Sequence, residues 1–398
     1  MTLTTTAAHA VTDIDLFSDE VLGNPTHHHN QLREQATVVH VPANDVWAIT
    51  RYEQVRDALG DPATFSSTKV AFNDTSNGYL QGTSLASDPP QHGPLRAALT
   101  ENLNNRAMRK LKDGIFAKGD ALVRELTAKG EFDGMSELAE AFPVSIVMDL
   151  IGLQGEIREK MLPWGEAAFN MLGPLNERAT AGLPLVGELV EWTHHTVKAE
   201  DLLEGSIGRA LFAAAERGDI AYESCGMIIH QYIAAGLDTT ITSIGNALEL
   251  LAAHPDQFEL LRSDLSLVPA AFMEVLRLRT PAPVLGRGTT RDVEVDGTVI
   301  PAGSQVALLL DAGNLDPRHY ENPEVFDIRR NPVDNLGFGY GIHGCAGQAL
   351  ARLEAQAVIK ALATHVESYR VARTERRLNN FTHPFSSIEI TDVVLADA

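Results

Sequence analysis

Along most of the first two thirds of the chain, apolar residues recur every three or four positions, the spacing of helices that bury one face. It predicts helices over Arg106–Leu126, Met135–Leu150, Arg158–Leu172 and, longest of all, Ala221–Ala253. Shorter helices cover Tyr52–Leu59 and Pro269–Leu278, the second stopped by Pro281 and Pro283. Thr37–Val41 and Val46–Thr50 have a β-like pattern, as do short runs beyond Pro283 that turn at Asp296-Gly297 and Pro301-Ala302-Gly303. Ser66 to Ser87, rich in Ser, Thr, Asn and Gly, reads as a loop. Between Asp311 and Gly344 the pattern has no period, and irregular segments of that length inside a compact domain are usually functional. A last helix, Ala346–Thr364, and β-like tail segments follow. These elements describe a mainly α chain with a minor β portion. With no repeat and no Gly/Ser linker, residues 1–398 are expected to form one domain.

Composition narrows the classes of function. A chain that is 44% hydrophobic and 21% charged can bury a large core. A formal net charge of -21 argues against nucleic acid as a partner. Met1 to about Phe17 lacks the basic flank and apolar run of a secretory signal, and no stretch approaches the ~18 apolar residues that would cross a bilayer. Two cysteines, Cys225 and Cys345, are too few for a disulfide scaffold, so a reducing cytoplasm and no membrane are expected. The run His27-His28-His29 points three ways from a helix and is expected on a solvated helix surface. Arg106, Arg109, Lys110 and Lys112 read equally as a docking patch or as an ordinary solvated face.

The irregular segment ends in Phe338-Gly339-Tyr340-Gly341-Ile342-His343-Gly344-Cys345-Ala346-Gly347 and runs straight into a helix. Small residues around Cys345 let a flat group come close to its sulfur, and glycines permit the positive-φ turns that aim N–H groups at it. The positive end of the following helix favours thiolate over thiol. Phe338 can shield the sulfur from water. A zinc ribbon would require more cysteines. Cys225 has no such frame and is expected to be a buried free thiol.

Phe338 through Gly347 resembles the haem-binding signature of the cytochrome P-450 superfamily, and the resemblance extends over nearly the whole chain. It implies that family's fold, a triangular helical prism with haem b held between the long central helix and the cysteine-loop helix. Cys345 would ligate the iron, with Phe338, Gly339 and Gly347 around it. Asp88 to Arg96 resembles the start of the family's helix C, so His92 and Arg96, with Arg287 and His343, would hold the haem propionates. Pro94 departs from a regular helix and is tolerable only in a first turn. Glu274 and Arg277 would join Arg329 of the segment Pro323–Arg329 in a buried network bracing the cysteine loop. Asn314-Leu315-Asp316-Pro317 stands where Asn-Arg-Asp-Pro is more usual, which puts one salt bridge in doubt.

Ala234-Ala235-Gly236-Leu237-Asp238-Thr239-Thr240 lies inside the longest helical pattern. A Gly in a helix interior costs ~1 kcal/mol relative to Ala, and here it would open the helix where dioxygen sits. Asp238 and Thr239 resemble the acid-alcohol pair that passes protons to bound dioxygen. Together these features imply a monooxygenase in which the Cys345 thiolate favours O–O cleavage. Electrons from NAD(P)H would arrive through a separate ferredoxin or flavodoxin and its reductase. A haem-thiolate sensor or carrier would need no proton relay, and peroxide-driven members of the family usually lack the pair.

Within the superfamily the chain looks like bacterial enzymes that O-demethylate para-methoxybenzoates. The carriers of that likeness are Met161–Pro174, the Ala-Gly-Leu-Asp-Thr-Thr run and Arg376-Arg377-Leu378-Asn379-Asn380. Phe72, Phe169, Leu172, Gln231, Ala234, Ala235, Val284, Leu285 and Phe381 are the expected pocket residues. The benzoate enzymes grip a carboxylate with serines and an Arg, whereas the matching positions here are Gln231 and Ala234, with His230 beside them. Lys69 is the single cation in the loop before His92. A buried carboxylate without donors is costly, so a neutral methoxyaromatic, of guaiacol or syringol type, is the expected substrate.

Overall fold

In the computed structural model, which describes residues 9–397, helices pack around one large core and a smaller β portion lies beside them. The start of the segment read for a secretory signal, residues 1–8, lies outside the described residues. Among those described, no helix is long and apolar enough to cross a membrane. Six strands form the main sheet, in the order Ala10–Val11, Val38–Val41, Val46–Ile49, Gln305–Leu309, Val284–Thr289, Phe65–Ser66. The tail folds back as the antiparallel pair Val366–Arg376 and Phe385–Leu395, edged by Phe132–Asp133. The β-like runs near residues 40 and 50 thus pair with each other in register (Val38 to Ile49, Val41 to Val46), and the second also pairs in parallel with Gln305–Leu309.

The helical periodicity survives with local changes. Arg106–Leu126 becomes Asn105–Thr127, capped by the Asn104 side chain, which accepts from Arg106 and Ala107 N–H. Met135–Leu150 divides into a π-helical turn, Gly134–Glu140, and an α-helix, Ala141–Ile151. The segment read as a loop over 66–87 contains a short helix, Asp74–Leu80, whose N-cap Asn73 accepts from Ser76 N–H. Pro94 sits in the first turn of His92–Thr100, where its missing N–H costs nothing.

The long central pattern is two helices, Tyr222–Gly236 and Asp238–Ala253, parted at Leu237 with φ -101° and ψ -74°. A Cβ at Gly236 would meet only Val147, at 3.6 Å, so crowding does not demand glycine there. The break follows from glycine's weak commitment to helix at the point where the carbonyl ladder is interrupted.

The irregular stretch 311–344 wraps over Val268–Leu278 and is pinned by buried polar groups. Arg277 and Glu274, both without solvent exposure, form a two-armed ion pair at 2.7 Å and 2.7 Å. Arg277 also donates to the carbonyls of Asn314 and Pro323. The third member of the network is Arg330, not Arg329: Arg330 Nε reaches Glu274 at 3.1 Å and its guanidinium binds the carbonyls of Glu321 and Asn322. Arg329 is exposed, because two consecutive residues of an extended turn face opposite ways. Leu315, in the departing Asn-Leu-Asp-Pro, is buried in the core while Asn314 and Asp316 keep their bonds to Leu336 N–H and Tyr52 N–H.

His29 also corrects the reading of the triple-histidine run. Residues 25–35 are helical, and His27 is exposed, but His29 is 1% exposed and its Nδ1 lies 2.8 Å from the equally buried Asp311. One helix thus carries a solvated and a buried histidine on different faces, as the three directions of consecutive residues require.

Candidate active site

Cys345 lies three residues before the helix Gln348–His365, and its N–H donates to the Phe338 carbonyl at 2.8 Å, closing the loop on itself. Gly339 and Gly341 both have positive φ, and a Cβ on Gly341 would stand 2.7 Å from the Leu59 carbonyl oxygen. Glycine is therefore required at 341 by both conformation and space. Burial pushes the Cys345 thiol up. Against it act the N–H of Gly347, the Arg96 guanidinium, the N–H of Gln348 and the Arg352 guanidinium, all favouring thiolate. Arg352 also lies over the Phe338 ring at 5.2 Å. The residue patterns gave no sign of Arg352; its place one and a half turns into the helix after Cys345 was the available signal.

The four expected propionate ligands come together from three separate segments: the helix His92–Thr100, which carries His92 and Arg96, the strand of Arg287 and the cysteine loop of His343. The His92 and His343 rings meet edge to face at 4.4 Å, and Arg96 donates to the Gly344 carbonyl. Arg287 is buried in the strand Val284–Thr289 and donates to the Gly286 carbonyl at 2.7 Å. His92 Nε2 and His343 Nε2 are buried without a partner. Burial, then Arg287 and His92, depress His343 to about 4. A cluster of buried basic groups that suppress one another's protonation, with two free ring nitrogens, is chemically suited to a pair of carboxylates. These donors, with the thiol of Cys345 in its glycine frame, fit a haem b.

At the helix break, Thr239 Oγ1 bonds back to the Ala235 carbonyl at 3.3 Å, across the interruption. Asp238 is 2% exposed, and its Oδ2 has no hydrogen-bond partner. Burial raises its carboxyl to about 7, a pull that Arg377 opposes and that Glu166 and Glu140 reinforce. Such a group is part protonated and part ionised at neutral pH, the state a proton donor needs.

Of the expected pocket residues, Phe169 and Phe381 stack at 5.6 Å. Phe72 joins the same region through its N–H to the Leu172 carbonyl at 2.8 Å. Asn380 ties the two segments by donating twice to the end of the helix before Gly173: its N–H donates to Asn170 Oδ1 and its side chain to the Asn170 carbonyl. Val284 packs on the Phe72 and Leu309 side of the sheet. Leu285 does not share that face. Strand alternation turns it to the opposite side, with Leu59, Phe65 and Leu308, which removes it from the pocket. Ala235 is exposed and Ala234 half-buried beside the break.

The polar candidates also separate. Gln231 uses both ends of its amide, accepting from Ser84 Oγ at 3.0 Å and donating to the Met227 carbonyl at 3.2 Å. Lys69 turns away and donates to the Gly303 carbonyl at 2.7 Å. His230, by contrast, keeps a buried Nδ1 without a partner and lies between Tyr79, at 6.1 Å, and His194, at 6.2 Å. Burial, helped by His194, lowers it to about 4, so its imidazole is neutral at physiological pH. Tyr79 and His194 were not legible in the sequence, because they come from a loop helix and a π-turn far from residue 230.

Comparison with known proteins gives one family throughout. A family model described as Cytochrome P450 matches residues 201–389. The chain is 35% identical to "Cytochrome p450 CYP199A2" of Rhodopseudomonas palustris, over 95% of this chain and 93% of that protein. It is 32% identical to the vitamin D(3) 25-hydroxylase of Pseudonocardia autotrophica, over 90% of each. The crystal structure of CalO2 superimposes with a TM-score of 0.84 at 27% identity, covering 96% of this chain and 98% of that one.

Proposed function

Since the chain belongs to the cytochrome P450 family and is a haem b monooxygenase, we propose that its substrate is a small neutral methoxyaromatic, a guaiacol- or syringol-type phenol, which it O-demethylates. The observation that carries this reading is the polar character of the pocket: the available donor or acceptor beside the helix break is the neutral imidazole of His230, while Lys69 is turned away and Gln231 is already paired. A neutral imidazole can exchange one hydrogen bond with a phenol hydroxyl but offers no charge to a carboxylate, whose burial would go uncompensated.

When bound, the haem activates dioxygen with two electrons and two protons and delivers one oxygen atom to a C–H bond. The protein's own residues do the rest. Cys345 is the iron ligand, and His92, Arg96, Arg287 and His343 fix the propionates, with Phe338, Gly339 and Gly347 shaping the cysteine side. Phe72, Phe169 and Phe381 enclose an aromatic ring, with Leu172, Ala234, Ala235 and Val284 completing the apolar wall. Thr239 and Asp238 hold and pass protons. Hydroxylation of the methyl group (ArOCH3 + O2 + NAD(P)H + H+ giving ArOCH2OH + H2O + NAD(P)+) yields a hemiacetal that collapses to ArOH and formaldehyde. Electrons come from a separate ferredoxin or flavodoxin with its reductase. Arg106, Arg109, Lys110 and Lys112 support that arrangement, since all four are exposed near the start of Asn105–Thr127.

The test is a paired spin-state titration with guaiacol and 4-methoxybenzoate, followed by formaldehyde assay, on the parent and on His230→Arg. The parent should bind and demethylate the phenol in preference, and the variant should shift toward the benzoate. Preference of the parent for benzoate would contradict the reading.

A further inference from the structure

A cavity of about 880 Å³ opens between the helices Ile157–Asn170 and Glu177–Glu191, the π-turn Gly134–Glu140 and the C-terminal loop. Glu140, Glu166 and Arg377 line it, and Arg377 and Glu166 form an ion pair at 2.9 Å, each about one third exposed. Asp238 stands just behind this pair. Its Oδ1 would lie 3.8 Å from a Cβ on Gly165, the neighbour of Glu166, so the missing side chain leaves the carboxyl against that helix. Asp238 Oδ2 and Arg377 Nε are both buried without partners. Asn379, two residues after Arg377 in the C-terminal loop, donates to the Glu166 carbonyl at 3.3 Å and so ties that loop to the helix.

We propose that the Glu166–Arg377 ion pair is the outer gate through which Asp238 is recharged with protons from the solvent of this cavity. The inference rests on the monooxygenase reading, in which Asp238 gives a proton to the reaction. Glu166 takes a proton from a hydronium ion of the cavity solvent, which is left as water, and loses its hold on Arg377. Its O–H bond then breaks as the proton passes, through cavity solvent, to the ionised Asp238. The restored Glu166 carboxylate pairs with Arg377 again. One proton enters for each that Asp238 gives up, and no electron moves. The charged groups facing Asp238 are Arg377 from the C-terminal loop, Glu166 from Ile157–Asn170 and Glu140 from the π-turn. Glu166 and Arg377 act through Asp238 and are positioning residues.

The readouts are the infrared carboxyl band of Asp238, identified by its loss in Asp238→Asn, titrated with pH in the holoenzyme, and product formed per NAD(P)H with guaiacol. Arg377→Leu should move the midpoint of the band up and Glu166→Gln should move it down, each by about half a unit or more. Both should lower coupling and raise the solvent isotope effect without changing the spin-state titration. Glu166→Asp should restore coupling. Glu159→Gln, on the same cavity but outside the pair, should change nothing. Unmoved midpoints with full coupling in both variants overturn the gate. If Asp238→Asn and Thr239→Ala also stay fully coupled, the relay itself fails. If those two uncouple while the gate variants do not, the gate alone fails.

Discussion

Glu274 accepts from Arg277, from Arg330 and from the N–H of Asp327, so one carboxylate at 0% exposure joins a helix to the irregular segment beneath the cysteine loop. Removing one partner of a buried pair leaves an uncompensated charge, and Glu274→Ala should cost about 3–5 kcal/mol of stability. Arg330→Ala should be clearly destabilising in thermal melts, and Arg329→Ala should change stability by less than about 0.5 kcal/mol. Equal effects from the two arginines would place the network on the wrong residue. This pair also marks how far single residues can be read. Glu274 and Arg277 are three apart on a helix, and geometry decides their meeting. Arg329 and Arg330 sit in a turn without a period, and nothing in the pattern of the chain says which of the two turns inward. Leu285 fails for a related reason: neighbours on a strand face opposite ways, so Val284 and Leu285 cannot both line one pocket.

At the scale of elements, the break between Tyr222–Gly236 and Asp238–Ala253 leaves a buried carboxyl, Asp238, at the start of the second helix. Burial, opposed by Arg377 and aided by Glu166 and Glu140, holds that carboxyl near 7 rather than at its usual 3.8. The sign of the consequence is fixed. Below about 3.8 both folded and unfolded chains are protonated at this site. Between 3.8 and about 7 the folded chain keeps a proton the unfolded chain has released, so stability falls as pH rises through that window. Asp238→Asn removes the dependence. Denaturant melts should therefore show the variant gaining on the parent from pH 4 to pH 8, and a constant difference would place the Asp238 titration elsewhere. Periodicity located both helices but joined them, since apolar spacing continues through Leu237 and only Gly236 hints at the interruption. It also missed the helix Asp74–Leu80, a polar segment with one apolar turn whose order comes from its Asn73 cap and tertiary contacts.

The molecule as a whole was more legible than its pocket. Helices with one buried face, strands that pair locally and a glycine-framed cysteine all leave marks in the chain, because their spacing is the same wherever they occur. The proposed pocket would draw on Phe72, Phe169, His230 and Phe381, residues of four separate segments, and on the turns that bring Tyr79 and His194 to His230. Such convergence has no period. What the fold does with all of it is to set one thiol, Cys345, in a glycine-framed loop that also carries His343, which meets His92 so that each imidazole keeps one unpaired nitrogen, while the other, Cys225, is fully buried with its sulfur toward the Leu211 carbonyl. The most direct test of that arrangement is the absorption spectrum of the reduced protein with carbon monoxide. The parent and Cys225→Ser should both give the red-shifted Soret band of thiolate-ligated haem, and Cys345→Ser should lack it. A band that survives in Cys345→Ser, or disappears in Cys225→Ser, would contradict the account.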